Sequence, residues 1–455
     1  MRHSEKEEKR DKRIDTGKRM WLIAMLTAIL LPLHAQELTD NTLQNDSASH
    51  DSLDTILIQP SWEERTKSEL DKFAAEAENT YFNTGICVWD LTSDSLLWSY
   101  NGQKVMRPAS TQKVVTAISA LSILGAQHEL RTRGFYTGEL TTDSTLKGDI
   151  YIVGDFDPMF SYADLCELAR SIRDMGIQRV DGTIYADASM KSPDLYGNGW
   201  CWDDVPSKNE PFLCALMLER GTTYPDFKKY SEEASFHPAE HFVYVLSQEL
   251  HKLNVTAADG IAPVSYAMKE YSHDGENFYT KTRTIEQVMQ QMLKDSDNLH
   301  AEALFFQLAN LNSGRHCTWK DGARQAENVL RQAGVATTYL NVADGSGVSL
   351  YNYISPNAMT AMLRYAYQNE DIYQHLYPAL PIAGADGTLS ERMKTGNAHF
   401  NVRAKTGTLK GVITLCGYVK ASNGHQLAFS IFINGVLSSK IARDLQDRIC
   451  QELAK

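Results

Sequence analysis

The stretch STQKVVTAISALSIL, residues 110 to 124, constrains this chain more than any other. Val114, Val115, Ala117, Ile118, Ala120, Leu121 and Leu124 leave almost no polar face before Gly125. A helix that is apolar all round must be buried, so the fold has to be wrapped about this one. Pro108 suits the approach to its first turn and Gly125 its end. Residues three apart share a helix face, so Ser110 and Lys113 stand side by side at the head of a buried helix.

A chain of 455 residues, 43% hydrophobic, has enough apolar material for more than one domain. It begins with a basic segment and the apolar run MWLIAMLTAILLPL, followed by LHAQ. That pattern is a secretory signal peptide over residues 1–35, cleaved after Ala35. The run falls short of the about 20 residues that span a bilayer. Residues 36–60 carry acids and no Lys or Arg, the composition of a disordered spacer.

Globular patterning starts at Ser61. SWEERTKSELDKFAAEAE is helical by spacing, and TGICVWDL and SLLWSYN are strands joined by a polar turn. Residues 130–265 read as a separate body, with strands at KGDIYIVGDFDP and VDGTIYADA and helices at YADLCELARSIRDMG and HPAEHFVYVLSQELHKLN. From about residue 284 helices resume. TIEQVMQQML opens with Thr284 and Gln287 spaced as a capping box. The chain closes with three strands, VRAKTGTL, GVITLCGYVKA and HQLAFSIFING, and a helix near 438–453. Strands joined by short polar turns form an antiparallel sheet, so the class is mixed α/β.

The formal charge of -12 becomes more negative once the basic leader is removed, which argues against nucleic acid as a partner. Seven cysteines cannot all pair within one chain. Cys87, Cys416 and Cys450 sit in apolar runs and read as small buried hydrophobes. A Cys201–Cys214 bridge is left open. No CxxC or other metal-ligand spacing occurs, and no cofactor is implied.

Ser110 needs a base to become a nucleophile. None of the 13 histidines lies in a nucleophile-elbow setting, and His300 with Glu302 reads as a helix-surface pair. Lys113 is the better base, because desolvation and the helix N-terminus both disfavour its ammonium form. SxxK by itself is a weak signal, and it recurs at Ser144–Lys147 in a polar turn. KTG also occurs twice, at Lys394 and Lys405. Context separates the copies. Ser296-Asp297-Asn298 falls in a short break between helices, and Lys405-Thr406-Gly407 lies in a strand.

The ordered set SxxK, SDN, KTG is that of class A β-lactamases and penicillin-binding proteins. With RPASTQK, GDFDP, GWCWDD, KDSDNLHAE, DGSGVS, LPIAGADGTLSER and RAKTGTLKGV, the chain from about residue 80 resembles the D-alanyl-D-alanine carboxypeptidase/endopeptidases of the DacB type, the low-molecular-mass class C penicillin-binding proteins of peptidase family S13. The resemblance implies a β-lactamase-like transpeptidase fold, an antiparallel sheet flanked by helices. Residues 61–129 and 266–455 would form the catalytic domain and 130–265 an inserted accessory domain. Ser110 would attack and Lys113 act as base. Ser296 and Lys405 would relay a proton, and Asn298 hold the substrate amide. Lys405, Thr406 and Thr408 would bind the terminal carboxylate beside Gly407, with the Ser110 and Thr408 N–H groups as oxyanion hole. Implied partners are peptidoglycan stem peptides in the periplasm and covalent β-lactam inhibitors. Peripheral membrane association is left open.

Departures bear on specificity. Relatives contact the third stem residue through an Asp, matched by Asp204, and an Arg after DGSG, replaced here by Leu350. Lys410 stands as a substitute cation. Two other functions share these motifs. A β-lactamase needs a deacylating base such as ExxLN after SDN, and none occurs there. A catalytically idle peptidoglycan-binding protein would not need every motif position filled.

Overall fold

The structure, a computed structural model, describes residues 60–204, 210–223 and 234–455. The leader and most of the spacer expected from the sequence lie outside them. In chain order come α1 (Trp62–Glu78), β1 (Asn83–Asp90), β2 (Ser95–Tyr100) and α2 (Gln112–Ile123). Next are β3 (Glu129–Tyr136), β4 (Glu139–Leu140), β5 (Thr145–Lys147), β6 (Ile150–Gly154), α3 (Tyr162–Asp174), β7 (Arg179–Val180) and β8 (Thr183–Asp187). α4 (Pro238–Lys252), β9 (Thr256–Ala257), β10 (Ser265–Met268) and β11 (Glu276–Thr284) complete the middle of the chain. Helices α5 (Ile285–Lys294), α6 (Asn298–Ser313), α7 (Trp319–Gln332), α8 (Pro356–Tyr367) and α9 (Glu370–Ala379) follow. The last elements are β12 (Arg403–Leu409), β13 (Val412–Lys420), β14 (Gln426–Asn434) and α10 (Ser439–Leu453).

The first and last parts of the chain build one antiparallel sheet, ordered β12-β13-β14-β1-β2. Its inner strands are covered on both faces, which is why they read as unbroken apolar runs. Alternation sorts the side chains. Ile413, Leu415, Val419, Phe429 and Ile431 pack toward α1 and α10, while Cys416, Tyr418, Ala428 and Phe432 face the helical core that contains α2 and α8. α2 is buried from Gln112 to Leu121 and packs against α5, α6, α7, α8 and α9. Full burial of a Val or Ile contributes about 1.5–3 kcal/mol, so this helix anchors the helical layer.

The middle of the chain leaves and returns on neighbouring strands. β3 and β11 are antiparallel, with Glu129 opposite Thr284, in a second sheet ordered β10-β8-β6-β3-β11. β6, β8 and β10 run parallel, joined by crossovers that carry α3 and α4. β4, β5, β7 and β9 make a small separate sheet. The second sheet therefore extends to Thr284, past the edge at residue 265 expected from the sequence. Thr284 then caps α5 through the expected capping box with Gln287. All described residues belong to one packed unit, Gln59–Lys455. None of their helices is long and apolar enough to cross a membrane.

All seven cysteines are free thiols, so Cys201 and Cys214 form no bridge. Cys214 is buried and its Sγ donates to the Leu216 carbonyl at 3.2 Å.

Candidate active site

Ala109–Thr111 forms a single 3₁₀ turn ahead of α2, and Ala109 takes a left-handed φ of 47°. Such a conformation costs about 1–3 kcal/mol and persists only when neighbours enforce it. Here the neighbours are visible. The Pro108 carbonyl accepts from Thr111 Oγ1 and Thr414 Oγ1, each at 2.6 Å. Asn434 holds the backbone of Arg107, accepting from its N–H at 2.9 Å and donating to its carbonyl at 3.2 Å. Ser110 is thereby presented half-exposed at the head of a rigid helix.

Lys113 is fully buried beneath it. Its Nζ lies 2.9 Å from Ser110 Oγ, 2.5 Å from Asn298 Oδ1 and 2.7 Å from the Ser346 carbonyl. Burial lowers the Lys113 pKa to about 8, against the pull of Asp344, Asp297, Glu302 and Glu210, whose charges favour the ammonium.

The turn between α5 and α6 brings the second motif to this place. Ser296 is left-handed, with φ 62°, and Asp297 caps α6 by accepting from the His300 N–H at 3.1 Å. Burial alone would raise Asp297. Its contacts with His300 and Arg220, the latter a 2.6 Å ion pair, instead hold it well below the usual carboxylate range. Asn298 donates through Nδ2 to Glu210 Oε1 at 2.5 Å, which orients its amide oxygen toward Lys113.

β12 supplies the third motif. Lys405 is fully buried, with Nζ 2.8 Å from Ser296 Oγ and 2.7 Å from the Thr406 carbonyl. Burial, then the charge on Lys113, lowers its pKa well below the ordinary lysine value. Gly407 must be glycine for packing reasons. A Cβ there would stand 2.1 Å from Thr414 Oγ1, 2.8 Å from the Pro108 carbonyl and 3.0 Å from the Ser110 nitrogen. β12 thus lies directly against the nucleophile's backbone. The Thr406 hydroxyl donates to Thr388 Oγ1 at 2.8 Å.

These groups surround a cavity of about 590 Å³ lined by Ser110, Ser296, Asn298, Thr406, Gly407 and Thr408. The duplicates lie elsewhere. Lys394 is exposed beside Glu391, and Ser144 sits in a polar turn. Asp204 does not line the cavity, and its carboxylate accepts the Cys201 N–H at 2.7 Å. Lys410 is exposed on the turn after β12, and the Leu350 carbonyl accepts from Arg107 Nε at 3.2 Å. His300 and Glu302 are not a surface pair. Both are buried, because α6 is enclosed from Leu299 to Ala309. Sequence reading missed Glu210, Arg220 and Thr388, which line the same cavity. Only Thr388, within LPIAGADGTLSER, lay in a recognised motif.

A serine in reach of a buried lysine, beside a second lysine–serine pair on a sheet edge, is an arrangement suited to serine acyl transfer. Residues 66–260 and 229–455 match the D-Ala-D-Ala carboxypeptidase 3 (S13) family, and the chain belongs to that family. It is 27% identical over 412 residues to D-alanyl-D-alanine carboxypeptidase DacB of Haemophilus influenzae, covering 78% of this chain and 85% of that one. It is likewise 27% identical over 451 residues to a D-alanyl-D-alanine carboxypeptidase of an Actinomadura species, covering 82% and 81%. The crystal structure of penicillin binding protein 4 (dacB) from Haemophilus influenzae superposes with a TM-score of 0.73 at 25% identity, over 85% of this chain and 98% of that one.

Proposed function

We propose that this chain is a serine-type D-Ala-D-Ala carboxypeptidase/endopeptidase that trims or opens peptidoglycan stem peptides through an acyl-enzyme. Family membership supports the substrate. The observation that carries the mechanism is Lys113, a buried amine 2.9 Å from Ser110 Oγ.

In this reading Ser110 Oγ attacks the carbonyl of the terminal D-Ala–D-Ala bond while Lys113 takes its proton. Ser296 and Lys405 pass a proton to the departing D-alanine nitrogen, supported by their 2.8 Å contact. The N–H groups of Ser110 and Thr408 receive the oxyanion, a contribution worth about 3–4 kcal/mol per donor in acyl transfer. Asn298 aligns the substrate amide, and Lys405, Thr406 and Thr408 attract the terminal carboxylate. The proton taken by Lys113 is passed on to replace the one that Ser296 and Lys405 deliver, which frees the Lys113 amine. Water then attacks the acyl carbonyl, and Lys113 accepts the water's proton and returns it to Ser110 Oγ as the acyl bond breaks. The penicillin-binding name of the solved relative supports β-lactams as covalent acylating agents of Ser110. The basic, apolar leader supports export to the periplasm. The return of β3 and β11 side by side supports an accessory body inserted into the catalytic part.

The test is digestion of muropeptides by residues 36–455, with Ser110→Ala alongside, read by mass spectrometry. Loss of terminal D-alanine, or conversion of cross-linked dimers to monomers, occurs only with the intact serine. Muropeptides left whole by both proteins would overturn the assignment.

A further inference from the structure

Behind Lys113 the chain buries two carboxyl groups that the reaction above does not use, Glu302 and Asp344, each 1% exposed. Such groups are costly unless hydrogen-bonded, and these are densely bonded. Glu302 stands one turn along α6 from Asn298. Its Oε1 accepts from the Gly345 N–H at 3.1 Å and the Ser346 N–H at 2.9 Å. The Ser346 carbonyl then accepts from Lys113 Nζ at 2.7 Å. Thr116, one turn beyond Lys113, donates to the Gly345 carbonyl at 2.7 Å.

Asp344 closes the same loop from the other side. Its Oδ1 accepts from the Gly347 N–H at 2.7 Å and from Asn352 Nδ2 at 2.6 Å. Its Oδ2 accepts from the Ser349 N–H at 2.6 Å and Trp200 Nε1 at 2.9 Å. The loop also abuts the nucleophile's turn, since a Cβ on Gly347 would stand 1.9 Å from the Ala109 carbonyl oxygen. One helix therefore fixes Lys113 twice, directly through Asn298 and through this loop by way of Glu302.

We propose that Glu302 is a positioning residue for the acylation step, fixing the Ser346 carbonyl against Lys113 and, through its own charge state, setting how readily Lys113 gives up a proton. The charged groups that face it are Asp344 from the loop, Lys113 from α2 and Lys191 from the segment after β8. Burial, then repulsion from Asp344, pushes the Glu302 carboxyl well above the ordinary range. Lys113 also faces Asp297, Glu210 and Lys405. With Glu302 uncharged, Lys113 has one fewer anion near it, and the free amine is favoured. When Glu302 ionises, the ammonium is stabilised and the base is weakened.

This inference rests on Lys113 being the base of the proposed reaction. It is tested by the rate of acylation by benzylpenicillin across neutral to alkaline pH, for wild type, Glu302→Gln and Glu302→Ala. Glu302→Gln keeps an oxygen acceptor for the loop and cannot ionise. It acylates near the wild-type rate at neutral pH, and the midpoint of its alkaline rise lies below that of wild type. Glu302→Ala loses the clamp, and its rate falls by about 10²-fold, the scale of a 1 Å misplacement. Identical midpoints in wild type and Glu302→Gln would overturn the proposal even if Glu302→Ala failed to fold. Wild-type speed in Glu302→Ala would overturn it as well. A wild-type protein that is never acylated would instead refute the proposed function.

Discussion

Lys405 Nζ rests 2.8 Å from Ser296 Oγ, so the cleft holds two lysine–serine pairs, the other being Lys113 and Ser110 at 2.9 Å. Both lysines are fully buried, and charge on Lys113 disfavours charge on Lys405. Two ammonium groups in one dry site are costly, so charge on one lysine favours the free amine on the other. One pair suits attack, and the other suits proton delivery to the leaving group.

The first consequence is a pH dependence. Below about 8 Lys113 is mostly ammonium and cannot accept the Ser110 proton, so acylation rises as pH passes upward through that value. Lys113→Arg stays charged throughout and loses about 10²–10⁴-fold, the usual contribution of a general base. Stopped-flow measurement of β-lactam acylation checks both, and a flat profile in wild type would count against Lys113 as base.

Gly407→Ala places a methyl 2.1 Å from Thr414 Oγ1 and 3.0 Å from the Ser110 nitrogen. β12 must move off the nucleophile, and kcat falls by about 10²-fold for a shift near 1 Å. Steady-state kinetics on a D-Ala-D-Ala peptide checks this, and a wild-type kcat in Gly407→Ala would contradict it.

Asp297→Ala removes the side-chain cap of α6 and leaves Arg220 without its 2.6 Å partner. The cap alone is worth about 1 kcal/mol. Because the folded carboxyl sits below its ordinary 3.8, Asp297 contributes stability above that pH and loses it as the pH falls further. Thermal melts should therefore separate wild type from Asp297→Ala at neutral pH and bring them together in strong acid.

Ile118→Ala opens a cavity in the middle of α2, where Ile118 is 0% exposed. The expected loss is about 2–5 kcal/mol, seen as a lower denaturant midpoint with an unchanged slope.

Local physics made much of the fold readable. The capping box at Thr284 with Gln287 is a four-residue local pattern, and it forms as read. β13 and β14 announce themselves because they are covered on both faces. β10 and β11 went unread in the sequence because β10 is four residues long and mostly exposed, and β11 is polar with little period-2 signal. His300 and Glu302 looked like surface residues by type, yet a helix apolar on all sides leaves its polar residues no exit to water. Glu210 and Arg220 reach Asn298 and Asp297 across gaps of 88 and 77 residues, and no local pattern encodes such pairings. Asp204 answers to its own turn at Cys201 and not to the cavity.

In the proposed reaction Ser110, activated by Lys113, becomes covalently acylated. The most direct measurement is mass spectrometry of the peptide containing Ser110 after brief exposure to benzylpenicillin, in wild type, Ser110→Ala and Lys113→Arg. Wild type gives a penicilloyl adduct on Ser110, Ser110→Ala gives none, and labelling of Lys113→Arg is strongly slowed. An adduct on another serine, or equally fast labelling without Lys113, would contradict it.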